Sequence, residues 1–216
     1  MEFRIADNVK NLNPSAIREI LKYAADPEVV SLSAGNPAPE AFPVEAIREI
    51  SDRILRERPV DALQYSTTEG YGPLRACLLS YLKKKHGIGR EFDDILITSG
   101  AQQAIELVTK TLCNRDDVVL CEEPSFVGSL NSFRSLGGRL VGVPMETDGM
   151  DMEALESILK ETPNVKMIYT IPNFQNPTGI TMSMAKRQRL YALAKEYDVL
   201  VIEDNPYGDL RFAGEH

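Results

Sequence analysis

From about residue 93 the chain alternates short apolar, β-branched runs with amphipathic segments, and this alternation limits the possible folds more than any other feature. The runs are Ile95-Leu96-Ile97-Thr98, Val118-Val119-Leu120-Cys121, Leu140-Val141-Gly142-Val143, Val165-Lys166-Met167-Ile168-Tyr169-Thr170 and Val199-Leu200-Val201-Ile202. Helical periodicity separates them: from Gln102, near 126–136, from Met152 to Leu159 and from Met184 to Tyr197. Runs without internal polar alternation suit parallel strands buried on both faces, and the intervening helices supply right-handed crossovers. The expectation is a doubly wound α/β domain.

The first 92 residues read differently, as helices and loops without a convincing strand. Asn13-Pro14 has the form of an N-cap with proline at the first helical position, and Phe42-Pro43 opens a helix whose Val44, Ile47, Ile50 and Ile54 share one face. A third helix is expected from Pro73 to His86, ending at Gly87 as a C-cap. Ser33-Ala34-Gly35-Asn36-Pro37-Ala38-Pro39 is too rich in glycine and proline for regular structure.

Composition removes several function classes. With 216 residues and 43% apolar content the chain can bury a substantial core. A net charge of −8 and a pI near 4.9 oppose attraction to nucleic acid or anionic membrane. Lys83-Lys84-Lys85 reads as a solvated helix end, where cations favour the negative pole of the dipole. No run approaches the roughly 20 apolar residues of a membrane span, and the N-terminus lacks a secretory layout, so a soluble cytoplasmic protein is expected. Two histidines and three cysteines, the latter without metal-type spacing, argue against a histidine-based triad or a zinc site, and the thiols read as reduced and structural.

Four places carry possible chemistry. Ser99-Gly100-Ala101-Gln102 joins an expected strand to an expected helix, where backbone N–H groups favour a phosphate, although small-residue turns entering helices are common in α/β proteins. Glu122-Glu123-Pro124-Ser125-Phe126 follows the next strand, at the sheet edge where ligands sit, and Phe126 suits either an aromatic ligand or ordinary core packing. Asn173-Phe174-Gln175-Asn176-Pro177-Thr178-Gly179 is an amide-rich turn after a buried run. Asp204 ends the last run and is followed by Tyr207. A half-buried carboxylate needs a partner to stay charged. A protonated ring nitrogen, a turn cap or a metal each answers that need. Asn176 and Tyr207 are donors beside the same edge, with ordinary turn and half-buried readings open for each.

The order of these motifs, together with Leu63-Gln64-Tyr65-Ser66 and Gly70-Tyr71-Gly72-Pro73-Leu74-Arg75, resembles the fold-type I pyridoxal phosphate enzymes. The nearest likeness is to class I/II aminotransferases of the 2-aminoadipate and kynurenine type. The resemblance implies a large domain with a mostly parallel sheet and helices on both faces. It implies pyridoxal 5′-phosphate as cofactor, amino acid and 2-oxo acid substrates, and a homodimer. Carried onto this chain, it implies phosphate contacts from Ser99, Gly100, Ala101 and Gln102, with Tyr65 reaching the neighbouring subunit's cofactor phosphate. It further implies stacking by Phe126, Asn176 and Tyr207 on the phenolate oxygen, Asp204 on the ring nitrogen and Gly35 near the substrate carboxylate. Lyase or synthase chemistry shares this fold and cofactor.

One departure is large. The family's Schiff-base lysine, in a Ser-x-Ser-Lys-like segment beyond the aspartate, has no counterpart, nor has the arginine that grips the substrate carboxylate, so no catalytic residue is assigned. Lys186, in Ser183-Met184-Ala185-Lys186, reads as a solvated first-turn residue. The expectation is therefore the N-terminal portion of an aminotransferase, inactive alone, truncated before the last strands and the C-terminal small domain. Residues 1–40 are read as an arm and the start of the small domain, and 41–216 as an incomplete cofactor-binding large domain. The alternative is a non-catalytic module that binds pyridoxal phosphate or an effector, related to aminotransferase-like transcription regulators.

Overall fold

The alternation read after residue 93 becomes a five-stranded sheet in the computed structural model, which describes residues 3–10, 28–30 and 37–214. The strands are β1 (Val118–Glu123), β2 (Arg139–Glu146), β3 (Gly149–Met150), β4 (Val165–Thr170) and β5 (Leu200–Glu203), in the order β3-β2-β1-β4-β5. β2, β1, β4 and β5 are parallel; the two-residue β3, which sequence reading did not foresee, turns back antiparallel on β2. From β1 the chain crosses to β2 on one side, then returns to β4 on the other. The direction of winding therefore reverses between β1 and β4.

Successive strand residues face opposite ways, and both faces are covered. Val118 and Leu120 of β1 and Ile168 of β4 pack with Met152, Leu155 and Leu159 of one helix (Met152–Glu161) and Leu190, Leu193 and Ala194 of another (Met184–Glu196). Val119, Cys121, Met167 and Tyr169 point the other way, against Ile105 of the helix Ala101–Leu112 and Phe133 of the helix Val127–Ser135. Each fully buried aliphatic side chain contributes roughly 1.5–3 kcal/mol of transfer free energy. Local signals set the helix starts. Asp151 Oδ1 accepts from Glu153 N and Ala154 N at 2.9 and 3.0 Å, and Ser183 Oγ accepts from Lys186 N at 3.4 Å.

Numbered in chain order, the helices are α1 (Asp7–Lys10), α2 (Val44–Glu57), α3 (Pro59–Leu63), α4 (Gly72–His86), α5 (Ala101–Leu112), α6 (Val127–Ser135), α7 (Met152–Glu161) and α8 (Met184–Glu196). A short 3-10 turn spans Pro39–Ala41. The chain forms two compact units: residues 100–216 with 1–15, and residues 16–99. The expected helix at Asn13-Pro14 lies outside the described residues.

In the unit of residues 16–99, Gly87 ends α4 with φ +65°, and its N–H bonds back to Leu82 and Lys83, as the C-cap reading required. The expected strand Ile95–Thr98 is a correction: these residues carry no strand pairing. A strand exists only where a neighbour takes its ladder bonds, and here other groups take them. Arg75 Nε donates to Ile95 O at 2.7 Å, its guanidinium also holds Asp94 at 2.6 Å, and Ile97 N donates to Glu69 O at 3.0 Å. Gly70 sits against Ile97 at φ +107°, where a Cβ would lie 2.5 Å from Ile97 Cγ1.

Candidate active site

Two loops meet beyond the carboxyl ends of β1 and β4, at the point where the winding reverses and open α/β sheets place their ligands. Glu122, the fifth residue of β1, is buried and joins them. Its Oε1 accepts from the Thr170 hydroxyl at 2.6 Å and from Ile171 N at 3.3 Å; its Oε2 accepts from Ile171 N at 3.2 Å and Gln175 Nε2 at 3.1 Å. Burial pushes the Glu122 carboxyl above its ordinary value, while the bonds from Thr170, Gln175 and Ile171 pull it back.

Gln175 is 1% exposed and orders the amide-rich turn. Its Nε2 also donates to Pro124 O at 2.8 Å, and its Oε1 accepts from Thr178 N at 2.9 Å and the Thr178 hydroxyl at 2.7 Å. The Glu123–Pro124 and Asn176–Pro177 peptide bonds are both cis. Arg187 of α8 clasps the start of the turn, donating to Pro172 O at 2.9 Å and Asn173 Oδ1 at 2.8 Å. Phe174 has φ +49°, an uncommon conformation for a bulky residue, and its N–H donates to Thr181 Oγ1 at 3.1 Å.

The segment after β5 folds back on this turn. Asn173 Nδ2 donates to Asn205 Oδ1 at 2.9 Å, Asn176 Nδ2 to Tyr207 Oη at 3.4 Å, and the Arg211 guanidinium lies 5.1 Å from the Phe174 ring centre. Asp204 N donates to Thr170 O at 2.9 Å, carrying the β4–β5 register one residue past the strand. Asp204 Oδ2 accepts from the Tyr169 hydroxyl at 2.8 Å, and that hydroxyl lies 2.9 Å from Ser129 Oγ in the first turn of α6. Burial pushes the Tyr169 hydroxyl well above the ordinary tyrosine range. Phe126, just ahead of α6, is partly exposed and its ring covers Gly128, where a Cβ would lie 2.6 Å from Phe126 Cε1.

The residues expected from sequence are thus distributed unevenly. Asn176 and Tyr207 are directly bonded, and Asp204 is linked through Tyr169 and Ser129 to the helix that Phe126 precedes. Gly100, at φ +82°, is the N-cap of α5, with Ala101 and Gln102 exposed in the first turn. Ser99 and Tyr65 belong to the other compact unit, and Tyr65 is 99% exposed. Gly35 lies outside the described residues.

Lys186 is a correction: its side chain is 12% exposed, not solvated. It pairs with Asp148 at 2.8 Å and with Glu146, and donates to Gly149 O at 3.3 Å. Burial lowers its proton affinity, but the bonds to Asp148 and Glu146 outweigh that and hold the ammonium above its ordinary value. It fastens α8 to the β2–β3 turn. Sequence reading missed Glu122, Ser129, Tyr169 and Gln175 as site components. Gln175, one residue before Asn176, offered a local signal; a tyrosine inside an apolar run did not.

Cys121 is buried, and desolvation pushes its thiol up to about 11, the inert state expected of a structural cysteine. Among the described residues no cluster of metal-ligating side chains occurs, and no helix is long and apolar enough to cross a membrane.

A mostly parallel sheet with polar loops gathered at its winding reversal defines a doubly wound α/β domain. The chain belongs to the aminotransferase class I and II family, whose pattern matches residues 27–215. It is 41% identical over 97% of its length to aromatic-amino-acid aminotransferase 1 of Thermococcus litoralis, of which it spans 51%. It is 35% identical over 96% of its length to the uncharacterized HTH-type transcriptional regulator YisV of Bacillus subtilis, spanning 42% of that protein. Among solved structures it is similar to the kynurenine aminotransferase of Pyrococcus horikoshii in complex with PMP, with kynurenine as substrate. That match has a TM-score of 0.90 and 40% identity, covering 98% of this chain and 53% of the other. The chain spans about half the length of the curated relatives it matches.

Proposed function

We propose that this chain holds pyridoxal 5′-phosphate outside β1, β4 and β5, as part of an aminotransferase that moves an amino group from an amino acid to a 2-oxo acid. The observation that carries this reading is the placement of Asp204: a half-buried carboxylate with one oxygen bonded to Tyr169 and the other accepting nothing from the described residues. The donor set suits the cofactor. Asp204 accepts from a protonated ring nitrogen, Asn176 and Tyr207 donate to an anionic ring oxygen, and Phe126 offers an aromatic face. Ser99, Gly100, Ala101 and Gln102 supply phosphate donors at the start of α5.

Bound there, the cofactor supplies an electron sink for the pair left on an amino acid's α-carbon. The chain's own residues contribute charge and orientation. The Asp204 carboxylate keeps a proton on the ring nitrogen, and the two donors stabilise the ring oxygen as an anion. Tyr65, fully exposed, and Gly35 retain their proposed places at a neighbouring subunit's phosphate and at the substrate carboxylate, within a homodimer.

Equilibrium dialysis of the 216-residue chain against pyridoxal 5′-phosphate tests the binding. Saturable one-to-one binding is expected, weakened roughly 10- to 100-fold by Asp204→Ala, the scale of a lost bond to a charged group. Absence of saturable binding, or an Asp204→Ala variant that binds as tightly as the parent, overturns it.

The likeness to YisV favours a second reading, a binding module without turnover. Incubation of the native gene product, loaded with pyridoxal 5′-phosphate, with an amino acid separates the two: conversion of the cofactor to its amine form with release of the 2-oxo acid supports the enzyme, and cofactor recovered as the unchanged aldehyde supports the module.

A further inference from the structure

A phenol has one proton to give, and Tyr169 lies between two oxygens. An ionised Asp204 can only accept, so the Tyr169 proton goes to Asp204 Oδ2 at 2.8 Å, and the Ser129 hydroxyl donates into the phenol oxygen at 2.9 Å. The result is a directed chain, Ser129 to Tyr169 to Asp204, and each bond polarises the next. All of it is anchored. Tyr169 is fully buried and packs edge-on against Phe133 with ring centres 5.5 Å apart and planes at 65°, while Ser129 is 3% exposed in α6. Burial raises the phenol above the ordinary tyrosine range, which favours its protonated, donating form.

The Asp204 backbone is fixed by its bond to Thr170 O, which leaves only the two side-chain torsions to set the carboxylate. The phenol sets them. We propose that Tyr169 is a positioning residue: its hydroxyl, steadied by Ser129, occupies one oxygen of Asp204 and presents the other, Oδ1, as the free acceptor for a protonated ring nitrogen. This rests on the reading of Asp204 given above. It makes the chain select ligands by what the ring carries opposite Oδ1: an N–H is accepted, and a C–H leaves a half-buried carboxylate oxygen unpaired. A buried tyrosine also needs a partner for structural reasons alone, so the test must separate aiming from support.

Dissociation constants for pyridoxal 5′-phosphate and for its 1-deaza analogue, with C–H in place of the ring nitrogen, are measured by absorbance titration on the parent chain and on Tyr169→Phe. The parent is expected to prefer the natural cofactor. Tyr169→Phe is expected to weaken that cofactor about 5-fold and leave the deaza analogue unchanged, a coupling that a purely structural role does not produce. Equal weakening of both ligands overturns the proposal. A parent that binds both equally well removes the ring nitrogen from Asp204, and the proposal with it. Where Tyr169→Phe fails to fold, Ser129→Ala leaves the phenol in place. It is expected to give a smaller loss, about 2-fold, confined to the natural cofactor, and an equal loss for both ligands overturns the idea.

Discussion

Residues 100–214 and residues 37–99 both contain amphipathic helices, yet they bury them to opposite extents. Every buried residue among those described lies in the first region, from Ile105 to Val199; in the second no described residue is buried. α2 carries the stripe read from sequence, but Val44, Ile47 and Ile50 remain 61, 57 and 46% exposed, whereas Leu155 of α7 and Leu193 of α8 are fully buried. Amphipathic periodicity states which face of a helix seeks an apolar partner. It does not state that a partner is present. In residues 100–214 the parallel sheet is that partner, because both of its faces are apolar.

The sharpest way to break this contrast is to truncate one apolar side chain in each region. Phe133→Ala empties a site closed on all sides, and a loss of about 3–5 kcal/mol is expected in urea unfolding. Ile47→Ala removes a side chain that is already more than half exposed, and a change within about 0.5 kcal/mol is expected from the same measurement. A loss at Ile47 as large as that at Phe133 would mean that α2 is covered in solution.

Gln175→Ala should come next in size. It strips Glu122 Oε2, Pro124 O and both Thr178 groups of a bond, and about 1–3 kcal/mol is expected by thermal unfolding. Amide exchange should localise the damage to residues 173–181. A matching loss of protection in α4, which has no such buried network, would contradict that.

The smallest effect compares two carboxylates. The bond from Ile95 N, then the Arg75 guanidinium, holds Asp94 below its ordinary 3.8, while burial holds Glu122 above its ordinary 4.5. The signs are opposite. Glu122 binds its proton more tightly folded than unfolded, so its contribution to stability is greatest below pH 4.5 and declines as pH rises through the folded value. The Asp94 contribution is present above pH 3.8 and is lost as pH falls through its lowered value. Carboxyl carbon chemical shifts followed across pH 2–8 should titrate in that order, Asp94 first, and the reverse order would refute both environments.

Much of the sheet was legible in the chain because parallel strands buried on two faces need uninterrupted apolar runs. Four of the five expected strands follow, with β1, β2, β4 and β5 each within a few residues of its run. The exception, Ile95–Thr98, has the same composition and fails for want of a neighbour, its polar groups going to Arg75 and Glu69 instead. The candidate residues divide along the same line. Asn176, Asp204 and Tyr207 became candidates because strand ends and turn residues mark themselves locally, and the structure places Asn176 against Tyr207 and Asp204 against Tyr169. Lys186 was misplaced because the glutamate and aspartate that bury it lie some 40 residues away in sequence.

The sequence by itself determined the order of elements, the two-faced sheet and the loops that carry the polar groups, since these follow from periodicity and turn chemistry over a few residues. Only the tertiary structure decided which hydroxyl meets which carboxylate. Tyr169 and Asp204 are 35 residues apart, and Glu122 and Gln175 are 53. Such pairs are selected when strands align in register and bury their ends together, where every donor and acceptor removed from water must find a partner. No local pattern records that choice.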